Sequence, residues 1–280
     1  MRIEPQPIWL IVNEKSGSFS EDAVQALAEA FDAAGFPARR MVRIPTDEAP
    51  TPAQFDEAEI RLAAIFTGDG TISSIVAGLG GWGGKVLVLP GGTMNLLSGR
   101  LHGEVDECQI VARLAGEVTA RDMPIICHGE RQALVGISAG PGAKWYDVRE
   151  DMRDLSIGQL VGDAADAASA TIVGPFVHCV EPALGRDTGY PLIELEPSEE
   201  GIRIVAFTAA TLGGYLEQGW AMLKREFREG PHEVLGHADS VSLGADEDIA
   251  LSVDGEPQEG KREETFVVAR SGVDLVATRA

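Results

Sequence analysis

The 280-residue sequence has no apolar run approaching the roughly 20 residues needed to span a bilayer; its longest runs, such as Ile8 to Val12 and Val86 to Leu89, are short. No transmembrane segment is expected. The amino terminus, MRIEPQPIWL, lacks the continuous apolar stretch of a secretory signal, which places the protein in the cytoplasm. Cysteine is scarce: Cys108, Cys127 and Cys179 are odd in number, widely spaced and free of any C-x-x-C pattern. That argues against a disulfide framework and against a structural zinc site. Positive charge is scarce too, with 23 Lys and Arg against 44 Asp and Glu and a formal charge of −21. Such a chain has no field to hold a phosphate backbone, so nucleic acid is excluded as a partner, and docking on an anionic leaflet is opposed. Internal repeats and low-complexity tracts are missing as well.

What is present suits a globular chain of two domains: 44% hydrophobic residues, 24% charged residues and 33 glycines. The first half alternates strand, loop and helix. Ile8 to Val12 ends in Asn13-Glu14-Lys15-Ser16-Gly17, and Val24, Leu27, Ala28 and Phe31 then fall at helical spacing until Gly35 and Pro37 stop the helix. Arg39 to Ile44 reads as a second strand. Leu62 to Phe66 is a buried strand closing in Thr67-Gly68-Asp69-Gly70-Thr71, with Ile72, Ile75, Val76 and Leu79 on one helix face after it. Lys85 to Leu89 is another strand, ending in Pro90-Gly91-Gly92-Thr93-Met94-Asn95, and Ile110 to Leu114 sits on a further helix. This alternation predicts a parallel sheet with helices on both faces and ligands at the strand ends. After about Arg121 the pattern becomes β-rich, through Ala133 to Ile137, Thr171 to Val180, Leu192 to Leu195, Ile202 to Thr208, Ile249 to Val253 and Thr265 to Ala269, with one helix over Val148 to Ala170. The expected fold class is α/β plus all-β.

Each strand-end loop combines glycine, small hydroxyl residues and an asparagine or aspartate. Glycine lets backbone N–H groups approach phosphate oxygens, hydroxyls add donors, and a helix starting next offers unpaired N–H groups to an anion. Singly, each is more often a plain turn; at one sheet edge, the three would form a phosphate-binding rim.

These loops carry a resemblance. Thr67-Gly68-Asp69-Gly70-Thr71 resembles the G-G-D-G-T signature of the diacylglycerol, sphingosine and ceramide kinase superfamily. Leu89 to Asn95 is similar to its L-P-x-G-T-x-N, Asn13 to Gly17 to its N-P-x-S-G, and Asp254-Gly255-Glu256 to its late D-G-E. The resemblance implies a three-layer α/β domain like that of the NAD kinases over residues 1–121, a β-sandwich substrate domain over 122–263, and a strand in 264–280 returning to the first domain. It also implies ATP and Mg²⁺ as cofactors, with the nucleotide held by Asn13, Ser16, Gly17, Thr67, Gly68, Gly70, Thr71, Gly92, Thr93 and Asn95 in a cleft between the domains. Glu256 would accept the proton of a lipid hydroxyl with Asp254 beside it, and Asp69 would bind Mg²⁺ and stand second as the base. The acceptor would be diacylglycerol or a ceramide or sphingoid-type lipid at a membrane surface, reached by peripheral association; a homodimer stays open. The chain departs from the pattern at Thr67 and Glu14, which replace glycine and proline, at Ser73 and Ser74, and at Leu96.

Two other readings stay open beside a lipid kinase. One is a nucleotide- or lipid-binding protein that keeps the fold without turnover. The other is a serine hydrolase, since Gly136-Ile137-Ser138-Ala139-Gly140 satisfies G-x-S-x-G and His178, His232 or His237 could complete it. Against it, Pro141-Gly142 delay the helix a nucleophile elbow requires. Gly78-Leu79-Gly80-Gly81-Trp82-Gly83 satisfies G-x-G-x-x-G but follows a helix and precedes a strand, the reverse of a dinucleotide fingerprint. Asp254-Gly255 on its own is a hairpin turn. His102 and His128 have no partner the sequence identifies.

Overall fold

In the computed structural model, which describes residues 1–144, 176–208 and 232–279, the first apolar run becomes β1 (Ile8–Asn13). Helix α1 (Glu21–Ala33) follows; the Ser20 side chain accepts the Ala23 N–H at its start, and Glu21 and Asp22 lie in the first turn, where the helix dipole favours acids. Its end is closed by Gly35 at φ +86° and by the Phe36 N–H reaching back to the Phe31 carbonyl, a left-handed C-terminal cap. The remaining elements here are β2 (Ala38–Ile44), α2 (Pro52–Glu57), β3 (Leu62–Thr67), α3 (Asp69–Gly78), β4 (Lys85–Pro90), α4 (Leu96–His102), α5 (Glu107–Arg113) and β5 (Thr119–Arg121).

The chain divides into two units, Met1–Met123 with Arg270–Ala280, and Pro124–Ala269. In the first, β17 (Asp274–Ala277) joins a six-stranded sheet of order β2-β1-β3-β4-β17-β5, parallel except for the β17–β5 pair. Side chains of a strand alternate between faces. Ile8, Leu10 and Val12 therefore pack with Val24, Leu27 and Phe31 of α1 and Ile110 and Val111 of α5. Trp9 lies on the other face, its ring tilted against Phe55 at 4.9 Å, and Phe55 in turn stacks on Trp82 at 4.5 Å. Each such large apolar side chain, fully buried, contributes about 1.5–3 kcal/mol. Gly78 to Gly83 forms the turn from α3 into β4.

The second unit is antiparallel in every described strand pair. It contains β6 (Pro124–His128), β7 (Arg131–Ala133), β8 (Ile137–Ala139), β9 (His178–Glu181), β10 (Leu192–Ser198), β11 (Gly201–Phe207), β12 (Glu233–Ala238), β13 (Ser240–Gly244), β14 (Ala250–Val253), β15 (Glu256–Glu259) and β16 (Glu263–Arg270). Sheets of order β12-β11-β10-β8-β14-β15 and β7-β6-β16-β13-β9 share one core, with Ile137, Ile193, Leu195 and Leu251 from the first meeting Ile126, Val241, Leu243 and Phe266 from the second.

One expected strand is corrected. Ala133 to Ile137 is not continuous, because a break at residues 134–136 separates β7 from β8. Its backbone N–H groups are taken by the Asp254 carboxylate instead of by a neighbouring strand. The helix expected over Val148 to Ala170, the start of the Thr171 to Val180 run, and Trp145, Tyr146, Tyr215 and Trp220 lie outside the described residues. Among the described residues, no helix is long and apolar enough to cross a membrane.

Candidate nucleotide site

Strands β1, β3 and β4 are parallel neighbours, so the turns that follow them leave the same sheet edge. The turns are also bonded to one another. Asn13 Nδ2 donates to Thr71 Oγ1 at 3.0 Å, Ser16 Oγ donates to the Gly91 carbonyl, and Ser18 Oγ to the Gly92 carbonyl at 3.4 Å. Between the second and third turns the contact is backbone on backbone. A Cβ on Gly91 would stand 2.4 Å from Thr67 N, and one on Gly92 2.5 Å from Gly68 Cα. Glycine at 91 and 92 is therefore required by close approach.

Asp69 ties the turns again, and in doing so changes what each helix start offers. It is only 8% exposed; Oδ2 accepts the Leu96 N–H at 3.0 Å and Oδ1 the Leu97 N–H at 3.1 Å. The start of α4 is thereby capped by a carboxylate from another segment, while its own N-cap, Asn95 at φ +52°, makes no side-chain cap bond. Asn95 instead closes its own turn, accepting the Gly92 N–H at 2.7 Å and donating to the Gly92 carbonyl at 2.9 Å. The start of α3 is different. Its N-cap is Gly68, which has no side chain to offer, so the first-turn N–H groups around Gly70 and Thr71 are left without a side-chain cap. Of the two helix starts, α3 is the one open to an anion. Thr67, which leads into it, is 1% exposed, and its Oγ1 has no hydrogen-bond partner.

The opening turn is anchored on its outer side by residues that sequence reasoning missed. The Glu14 N–H bonds the Ile44 carbonyl at 2.9 Å, a bond that a proline at this position lacks the hydrogen to make. The Glu14 carboxylate accepts from Thr46 Oγ1 at 2.7 Å and from the Arg43 guanidinium at 3.4 Å. Arg43 also makes paired bonds to Glu21 at 2.7 and 2.9 Å, and these bonds raise its pKa further above the ordinary range. Nothing in the spacing of Glu14, Glu21, Arg43 and Thr46 announces such a network. It exists because β2 runs parallel to β1 and ends level with it.

In the second unit, the D-G-E segment is both a hairpin and more than one. Asp254 and Gly255 have φ of +49° and +87°, and Val253 pairs with Glu256 across them, the geometry of a type I′ turn. The Asp254 carboxylate, 8% exposed, accepts the N–H groups of Leu134, Val135 and Gly136 at 2.9, 2.8 and 2.9 Å. Glu256 opens β15 and is exposed.

The geometry has a counterpart among known proteins. Residues 7–125 match the model of the diacylglycerol kinase catalytic domain. That match spans less than half of the chain, and over it the chain is similar to the diacylglycerol kinase catalytic-domain family. Among solved structures it is similar to a diacylglycerol kinase from Bacillus anthracis str. Sterne, with a TM-score of 0.61 and 14% identity over 97% of this chain and 96% of that one. Two provisionally named diacylglycerol kinases from the same organism have TM-scores of 0.64 and 0.60, at 15% and 16% identity, over 97% and 96% of this chain and 95% and 96% of theirs. At these identities the likeness is one of fold. No curated protein matches the sequence.

Other candidates fare less well beside the family's turns. Ser138 is buried on β8, paired on one side with Glu194 and on the other with Ser252, and a 3₁₀ turn over Pro141–Lys144 follows. A serine in the middle of an antiparallel sheet is not on a nucleophile elbow, which needs a strand-to-helix turn. His128 Nε2 lies 2.7 Å from Glu264 Oε2, and His102 Nδ1 lies 3.0 Å from Thr278 Oγ1, so both have partners. Among the described residues, no group of three or more His, Cys, Asp or Glu side chains is placed to hold a metal. Asp69 is the carboxylate of the second turn, and Mg²⁺ is commonly held by one or two carboxylates together with substrate phosphates.

Proposed function

We propose that the protein is an ATP-dependent lipid kinase. The observation that carries the reading is the locking of three glycine- and hydroxyl-rich turns into one cradle, by Asn13 to Thr71, Ser16 to Gly91 and Asp69 to Leu96 and Leu97. The nucleotide phosphates would lie against the open start of α3, with Gly68, Gly70 and Thr71 supplying donors and Ser16, Gly17, Gly92 and Thr93 bordering them. Thr67 belongs to this set through its backbone, while Asn13 and Asn95 act by shaping the turns. Mg²⁺, when bound at Asp69, would neutralise charge on the phosphates.

In the transfer step, the lipid hydroxyl oxygen attacks the γ-phosphorus. The bond from that phosphorus to the β,γ-bridging oxygen breaks, ADP leaves, and the hydroxyl proton passes to a carboxylate. Glu256 is assigned that proton, since it is exposed and free of the backbone bonds that occupy Asp254 and Asp69. Asp254 acts by holding the turn from which Glu256 projects. The relatives' name makes diacylglycerol the first acceptor to try, with ceramide and sphingoid bases next.

The test is radiolabelled ATP with Mg²⁺ and detergent-dispersed lipids of these classes. Label recovered in one lipid is the expected result. Tight nucleotide binding with no transfer to any lipid would end the kinase reading in favour of a binding protein.

A further inference from the structure

The three turns contain a single cationic side chain. They read N-E-K-S-G-S over 13–18, T-G-D-G-T over 67–71 and P-G-G-T-M-N over 90–95, so Lys15 is the only lysine or arginine among them. A triphosphate brings several negative charges to a chain whose formal charge is −21. The same turns also hold two carboxylates, which oppose it. Both are engaged by donors: Asp69 accepts two backbone N–H groups, and Glu14 accepts the Thr46 hydroxyl and the Arg43 guanidinium on the β2 side. Lys15 is exposed. Its N–H is fixed by Asn13 Oδ1 at 2.9 Å, and it stands between the two residues, Asn13 and Ser16, that bond the other turns.

We infer that Lys15 binds the phosphates of the nucleotide, and that Arg43 is a positioning residue that makes this possible by neutralising its neighbour Glu14. The inference rests on the nucleotide-binding reading above and adds to it the source of the positive charge. Adjacent residues of opposite sign are sorted: the acid is tied outward to β2, and the base is left for the ligand. The departure from proline at position 14 is part of the device, since Glu14 both donates its N–H to Ile44 and anchors Arg43.

The experiment titrates a fluorescent ATP analogue, with Mg²⁺, into the full chain and its variants at low and high salt. Lys15→Met is expected to weaken binding about tenfold at low salt and less at high salt, as one screened charge interaction should. Lys15→Arg is expected to bind within about twofold of wild type, since Arg keeps the charge. Arg43→Met is expected to weaken binding severalfold, and Glu14→Gln in the same chain to restore most of it, because the exposed negative charge is then gone. Loss of loop structure alone predicts no such rescue. Wild type that takes up no nucleotide overturns this inference together with the kinase reading. Wild type that binds, with Lys15→Met binding equally, overturns this inference alone, as does a double variant no better than Arg43→Met. A Lys15→Met defect confined to sedimentation with phosphatidylglycerol vesicles also counts against it, and would give Lys15 to the membrane.

Discussion

Asp69 in the first unit and Asp254 in the second are each 8% exposed, and each spends its carboxylate on backbone N–H groups of a distant segment. They differ in what lies beside them. Asp69 sits at the open start of α3 among glycines and hydroxyls; Asp254 sits in a type I′ turn, followed two residues later by an exposed carboxylate. A signature aspartate is thus not automatically a free acid. In both places its first duty is to satisfy amides that regular structure leaves over, and in the D-G-E segment the exposed carboxylate is that of Glu256. Glu256→Gln sharpens this most. It is expected to lower phosphate transfer by about 10²-fold or more while leaving the thermal midpoint unchanged. Retained transfer with intact stability would move the proton acceptor to Asp69.

The aspartates themselves should then behave differently from Glu256, and from each other. Asp254→Ala strands three N–H donors and is expected to cost about 4 kcal/mol, read from urea unfolding. Asp69→Ala strands two, at a helix start that water can partly reach, and is expected to cost about 2 kcal/mol. If the two losses are equal, or if Asp254→Ala is as mild as a surface substitution, the assignment of Asp254 as the anchor of residues 134–136 fails.

A second pair contrasts the units at acid pH. His128 is held against Glu264, whose pKa is lowered. His102 is buried; desolvation above all, with the nearby charge of Arg113 acting in the same sense, lowers its pKa to about 4. In the unfolded chain the value is about 6.5. Between these values the folded state binds fewer protons than the unfolded state, so the stabilisation is present above about pH 6.5 and is lost as pH falls towards 4, by about 3 kcal/mol at pH 4. Urea unfolding from pH 7 to pH 4 should show that slope. His102→Gln should flatten it, and an unchanged slope would clear His102 of the effect.

The first unit was the more legible in sequence, for a physical reason. A buried parallel strand reads as an unbroken apolar run, and the glycine-rich turn after it stands out because its composition changes abruptly, as from Phe66 to Gly68 or Leu89 to Gly91. What could not be read was the bonding among the turns. That Asn13 reaches Thr71, that Asp69 caps α4, or that Arg43 serves Glu14 depends on strand order and register, which residue types alone do not encode. The same limit produced the error at Ala133 to Ile137. Residues 134–136, inside a run with strand propensity, stay out of the ladder because a carboxylate about 120 positions later in the chain takes their three amides, and tertiary partners override local preference.

The smallest effect separates backbone from side chain inside the cradle. Thr67 stands where the family pattern has glycine, and its Oγ1 is buried without a hydrogen-bond partner. An unpaired hydroxyl in an apolar setting is unfavourable, and a same-shaped apolar group removes the penalty. Thr67→Val is therefore expected to raise stability by about 1 kcal/mol and to leave nucleotide affinity unchanged, since a phosphate would meet only the backbone at this position. The two readouts decide between roles. A gain in stability with a loss of affinity would mean that the hydroxyl is uncovered when nucleotide binds and donates to it, which would make the departure from glycine a ligand contact in its own right. A loss of stability would mean that the hydroxyl is satisfied after all, and that β3 enters the signature turn through a bond not yet accounted for.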